Sequence, residues 1–154
     1  MKRYKFKLDA LLKLREFEEQ KIKIRLGEIN KQISEIEAEI SKDHRDLDEG
    51  YNSQNKLAAS GTQGRMMQFY PMFTEGKRRH IEKLETELWS LKRKYQNTLE
   101  ELKEARGKVK VVEKLKEKDK TDFRKEQTKI DDKKREDLVQ MWSVNKENTN
   151  RDSE

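Results

Sequence analysis

The chain has 154 residues, 37 of them basic and 31 acidic, and only 31% are hydrophobic. That leaves too little apolar material for the globular core that encloses an ordinary active site. Leu, Ile, Val and Phe together number 32; at that level disorder is the default, and only the spacing of these residues argues for a fold.

One Pro and six Gly, four of these between positions 50 and 76, leave long stretches without helix breakers. There is no Cys, so neither a disulfide nor a thiolate metal site is available and a cytosolic address is expected. No apolar run approaches the roughly 20 residues that span a bilayer, or the core of a signal peptide. The formal charge of +6 raises the question of nucleic acid, but the basic excess is local. Residues 1 to 25 carry nine basic and four acidic side chains, whereas residues 26 to 49 carry three and eight. No like-charge block reaches the length of an interaction tail, so no nucleic-acid partner is expected.

In the first arm, Ile22, Leu26, Ile29, Ile33, Ile36 and Ile40 recur at alternating steps of four and three. This is the heptad seam of a coiled coil. In the same register the seam meets Glu19, Arg15, Leu12 and Leu8 backwards, and Asp43, Leu47 and Gly50 forwards, so it is interrupted at both ends. Phe6, Leu11, Leu14 and Phe17 widen the apolar face near the start, which predicts contact with more than one neighbouring surface there.

Between Ala58 and Gly76, Gly61 and Gly64 favour a turn, and Pro71 fits best in a first helical turn. A second seam follows through Ile81, Leu84, Leu88, Leu91, Tyr95, Thr98, Leu102, Ala105, Val109 and Val112, polar only at Thr98. Beyond it the register lands on Lys116, Asp119, Phe123, Glu126 and Ile130; the pairing signal fades while the helical composition persists.

The spacing predicts an all-α fold, a long antiparallel two-helix coiled-coil hairpin forming one domain over 1–142. The first helix covers about 5–57, the tip about 58–70 and the second helix about 71–142, with a disordered polar tail over 143–154. Paired residues should have numbers summing to about 128, which puts Ile40 near Leu88. The paired length of the arms would be about 80 Å, and the second would outrun the first by roughly 20 residues, about 30 Å. That overhang, about Thr121 to Trp142, would display Phe123, Ile130, Leu138, Met141 and Trp142 without a partner in the chain. Exposed apolar surface costs about 25 cal/mol per Å², so the helix calls for a partner.

Catalytic constellations are missing from the pattern. His44 and His80 sit in charged helical stretches without a nearby nucleophile and are expected at the surface. Asp43 and His44 are adjacent on a helix and point in different directions, unlike metal ligands. The G-T-Q-G of Gly61 to Gly64 lacks the Lys and Ser or Thr of a phosphate loop, and carboxylates on a two-helix rod have no cleft to tune them. No enzyme activity, cofactor, metal or small-molecule substrate is expected. At the tip, Phe69, Tyr70 and Phe73 gather with Met66, Met67 and Met72 beside a turn. They form either a local core, with Phe73 and Tyr70 folded over Tyr51 and Leu57, or a partner-binding patch. Trp89, off the second seam, is expected to be a partly exposed packing residue.

The opening FKLDALLKLREFEEQ, Phe6 to Gln20, resembles the N-terminal signature of the flagellar export protein family FliJ, an F-x-L-x-x-L-L-x-L-R pattern leading into a charged coiled-coil helix. EQTKIDD, Glu126 to Asp132, resembles that family's C-terminal E-Q-K-x-x-D-E stretch, with Thr128 in place of the usual Lys. The tip aromatics give a third match. The resemblance implies an antiparallel coiled coil similar to the central stalk of rotary ATPases, without catalytic activity of its own. It implies a terminal end that enters the pore of the hexameric flagellar export ATPase; Phe6, Leu11, Leu14, Phe123, Gln127, Ile130 and Leu138, which lie at that end, are expected to make the contact. It also implies a tip that meets the membrane export gate through Leu47, Tyr51 and Phe73, joined by Phe69 and Tyr70. Lys77 stands where the family pattern has an aliphatic residue. Empty export chaperones would be further partners, and the place of action the cytoplasmic face of the inner membrane at the flagellar base. The residues alone also fit a free-standing coiled-coil tether, a homodimeric chaperone whose seams pair between chains, or a nucleic-acid-binding coiled coil.

Overall fold

The computed structural model describes residues 3–61 and 64–151, with side chains as far as Lys146. Its elements are α1 (Asp9–Ala59), α2 (Gly64–Met67) and α3 (Phe69–Arg151), with no strand among the described residues. The fold is all-α, a coiled-coil helical hairpin built on two long helices. The chain divides into a terminal unit, Met1–Glu16 with Gly107–Glu154, and a connecting unit, Phe17–Arg106.

In the connecting unit the heptad positions meet. Ile29, Ile33 and Leu47 of α1 and Ile81, Leu84, Leu102 and Ala105 of α3 are buried, and Ile22, Leu26, Ile36, Ile40, Leu88, Leu91 and Tyr95 are half-buried. Where the sequence interrupts the seam, the polar residues stay at the interface and find partners. The Arg106 guanidinium donates to Glu19 at 3.1 Å, and the Lys77 ammonium donates to Asp43 at 2.7 Å. Thr98 is buried but donates back to the Lys94 carbonyl of its own helix at 2.8 Å. Ion pairs Arg25–Glu101 and Lys92–Glu37 flank the seam, and low α1 numbers always meet high α3 numbers, as antiparallel helices require. The sums run from 119 for Glu39 with His80 to 129 for Glu37 with Lys92. They include 123 for Gly50 with Phe73, so most lie somewhat below the expected 128.

α1 ends through a backbone device. The Ser60 amide donates to the Lys56 carbonyl at 3.1 Å, and Gly61 adopts φ 71°, a left-handed conformation that favours glycine. The expected tip, 58–70, includes Thr62 and Gln63, which lie outside the described residues. Pro71 falls in the first turn of α3, where its missing amide donor costs nothing.

In the terminal unit, Phe6, Leu12, Val109 and Val112 form a buried cluster with Tyr4 and Leu11 packed against it. The segment before α1 is not helical, so α1 starts at Asp9, later than the expected position 5. Tyr4 lies against α3, its hydroxyl 3.3 Å from the Lys116 carbonyl and 3.2 Å from Asp119 Oδ2. Its ring tilts onto Phe123 with centroids 5.4 Å apart. Phe123, expected to be bare, is therefore half-buried under Tyr4. Beyond it, every residue from Arg124 to Lys146 is exposed except the half-buried Gln127. α3 continues through Ser143 to Arg151, where the sequence suggested a disordered tail; no Pro or Gly follows Gly107 to stop it. Positions 152–154 of that tail lie outside the described residues.

Candidate partner-binding surfaces

The first candidate surface belongs to the connecting unit. Phe69 is 64% exposed and stacks on Phe73 with centroids 6.1 Å apart, while the edge of Tyr70 meets Phe69 at 5.9 Å. Met66 and Met72 are also exposed, whereas Tyr70 and Phe73 are half-buried. Phe73 owes its position to Gly50 of α1, where an added Cβ would stand 3.0 Å from the ring's Cε1. The tyrosine hydroxyl of Tyr51 accepts a hydrogen bond from Arg78 at 2.6 Å. Leu47, named with these residues from the sequence, is 7% exposed. It belongs to the seam and supports the patch from below. The accessible part is a cluster of aromatic and thioether side chains, a composition suited to burying a partner's apolar surface.

Beside this patch lies a polar network that sequence reasoning missed. Asp43 is 3% exposed. One of its oxygens accepts from Lys77 at 2.7 Å, and the other meets His80 Nδ1 at 2.5 Å. Lys77 also donates to Asp46 at 2.8 Å, and His80 Nε2 stands 3.7 Å from Glu39. The hydrogen bond from Lys77, aided by His80, holds the Asp43 carboxyl below its ordinary range against the opposing effect of burial. The same bonds, with that to Asp46, raise the Lys77 ammonium. Both histidines are exposed as expected, but His80 is also bonded to the buried carboxylate of the interface. The available signal was Asp43 itself, a carboxylate at a seam position that had to find a cation on the facing helix.

The second candidate surface belongs to the terminal unit. Of the residues named for it, Phe6 and Leu11 pack in its core, and Phe123 lies under Tyr4. Leu14, Ile130 and Leu138 are 52%, 46% and 59% exposed, and Gln127 is half-buried. Val139, Met141, Trp142 and Val144, on the same stretch of α3, are exposed as well. Charge distinguishes the two units. The terminal unit holds 20 basic and 14 acidic residues and the connecting unit 17 of each, so the whole net charge of +6 resides in the first. Among the described residues, no helix is long and apolar enough to cross a membrane.

A family model described as "Flagellar FliJ protein" matches residues 4–148, nearly the whole chain. No curated protein and no solved structure gave a match.

Proposed function

The chain belongs to the flagellar FliJ family, which makes it a component of the flagellar export apparatus; from that premise we propose that it is a non-enzymatic stalk working between the export ATPase and the export gate. The terminal unit engages the hexameric ATPase, and the aromatic patch beside Phe73 engages the membrane gate. Export chaperones are escorted by the same coiled coil, which acts at the cytoplasmic face of the inner membrane.

The family match carries this reading, and three features support it. The terminal unit bears the net positive charge and an unpartnered run of α3 with exposed Ile130, Leu138, Met141 and Trp142. Such a helix loses its solvation cost only when another surface covers it. Exposed Phe69 and Met72 beside the half-buried Phe73 form a second apolar cluster among the described residues, and it sits in the connecting unit. Charged outer faces keep a coiled coil only weakly adhesive to its surroundings, as a moving or inserted element requires.

The test is a binding assay with purified export ATPase and with the cytoplasmic domain of the gate. Phe73→Ala should weaken the gate complex and leave stimulation of ATP hydrolysis nearly intact. Removal of the residues after Phe123 should abolish stimulation and spare gate binding. Loss of both functions in both variants, or of neither, would defeat the assignment.

A further inference from the structure

An antiparallel pair of regular heptad seams has no unique alignment. The α1 seam of Ile22, Leu26, Ile29, Ile33, Ile36 and Ile40 runs along the α3 seam of Ile81, Leu84, Leu88, Leu91, Tyr95, Thr98 and Leu102, and sliding one helix by seven residues again sets mostly apolar side chains against apolar ones. Something else must select the alignment observed. Two buried polar side chains occupy the seams among the described residues, Asp43 and Thr98, and the half-buried Glu19, which reaches Arg106 of α3, also has Lys23 of its own helix 2.9 Å away and keeps that cation in any alignment. Thr98 satisfies its hydroxyl on the Lys94 carbonyl of its own helix, so its bonding survives any slide. Asp43 has its partners on α3, Lys77 at 2.7 Å and His80 at 2.5 Å.

We infer that Asp43, with Lys77 and His80, is the positioning device that fixes the alignment of α1 against α3 and thereby seats the tip patch on α1. A slide of one heptad in one direction would bring Asp43 to the level of Leu84 and Glu87, and in the other to the level of Tyr70 and Phe73. The first sets the carboxylate beside a like charge and the second among aromatic side chains, and both take it from its two α3 cations, which is strongly unfavourable for a buried carboxylate. The observed alignment is also the one that sets Gly50 against the Phe73 ring. The α3 aromatics touch one another in any register, but the seat of Phe73 on Gly50 and the Arg78–Tyr51 hydrogen bond, which join them to α1, belong to this one. A single polar residue at a seam position setting the register of a coiled coil is a well-attested use of such residues. The inference stands independently of which partner the patch binds.

The experiment is a pulsed electron resonance distance measurement on the full chain. The chain has no Cys, so Ser53→Cys and Ser90→Cys place spin labels at two exposed positions of the connecting unit. The native background should give one distance. Asp43→Leu continues the seam with an apolar residue, and Lys77 keeps Asp46 as its partner. Melting should be unchanged or raised, while a second distance appears, displaced by about 10 Å, the rise of one heptad. Asp43→Asn keeps the size and a hydrogen-bonding group; it should lower melting and retain the single distance. A single native distance in Asp43→Leu, or loss of helicity in that variant, would overturn the inference. The first would mean that the apolar seams alone select the register, and the second that Asp43 is needed for pairing itself.

Discussion

The Phe73 ring lies against the backbone of Gly50, so close that a Cβ on that glycine would stand 3.0 Å from Cε1. Gly50 sits well inside α1, where glycine costs about 1 kcal/mol relative to alanine. The expense is matched by a half-buried aromatic seat. Gly50→Leu should regain the helix propensity but force the ring outward, at an overpacking cost of about 1–3 kcal/mol. Urea denaturation should therefore show little change or a loss of about 1–2 kcal/mol. Gate binding should fall more than the change in stability explains, because the ring has moved.

The Asp43–Lys77 pair gives the connecting unit a defined pH response. Asp43 is held below its ordinary value of 3.8 in the folded chain, so the stability it contributes is present above that value and is lost as pH falls through the lower folded one. Lys77 is raised above 10.5, so its contribution is complete below that value and disappears as pH climbs through the higher folded one. Glu19, lowered mainly by Lys23 and also by Arg106, adds to the acid side. Asp43→Asn should cost about 1–3 kcal/mol at neutral pH. Denaturation curves recorded from pH 7 downwards should show native chain and variant beginning to converge near 3.8 and meeting as pH falls through the lower folded value of Asp43.

The seams were legible in the sequence because burial in a two-helix hairpin follows a period that can be counted. Each α1 seam position from Leu12 to Gly50 is buried or half-buried, including the polar Arg15, Glu19 and Asp43. What could not be counted was pairing between arms: Asp43 meets a lysine 34 positions away and a histidine 37 away. Two-helix periodicity says which residues face inward, without saying which cation reaches which carboxylate. Tyr4 escaped for a related reason. It precedes the heptads in a non-helical segment, and only the fold shows that segment crossing to Lys116, Asp119 and Phe123. The expected bare helix accordingly begins after Phe123 instead of at Thr121.

Tyr4 should be the fastener of the segment before α1. Its hydroxyl reaches the Lys116 carbonyl and Asp119, and its ring covers Phe123 beside the Phe6 and Leu12 cluster. Tyr4→Ala removes the aromatic contact and leaves Phe6 as the main anchor. Hydrogen exchange of amides at the start of α1, around Leu12 and Lys13, should accelerate by roughly 10-fold or more, corresponding to about 1.4 kcal/mol of local stability. Exchange around Ile33 and Leu84 should be unchanged. Tyr4→Phe, which keeps the ring, should show the smaller part of the effect.

The exposed run of α3 after Phe123 should be the least stable part of the helix. From Arg124 to Lys146 only Gln127 is even half-buried, so this stretch draws little support from packing and depends on its own propensity and on pairs such as Arg135–Asp132 at 3.9 Å. Surface ion pairs contribute at most about 1 kcal/mol, and helices without a packed face are marginal in water. Amides between Ile130 and Trp142 should therefore exchange far faster than those near Val109 and Val112, which lie in the buried cluster of the terminal unit. Adding the export ATPase should protect the first group and leave the second unaltered. Trp142 is 81% exposed and Leu138 59%, so Leu138→Ser with Trp142→Ser should remove that protection by taking away the apolar surface to be covered. The melting temperature of the free chain should stay within about 1 °C of the native value, because neither side chain is packed in it. Protection that persists in the double variant would place the ATPase contact elsewhere on the terminal unit.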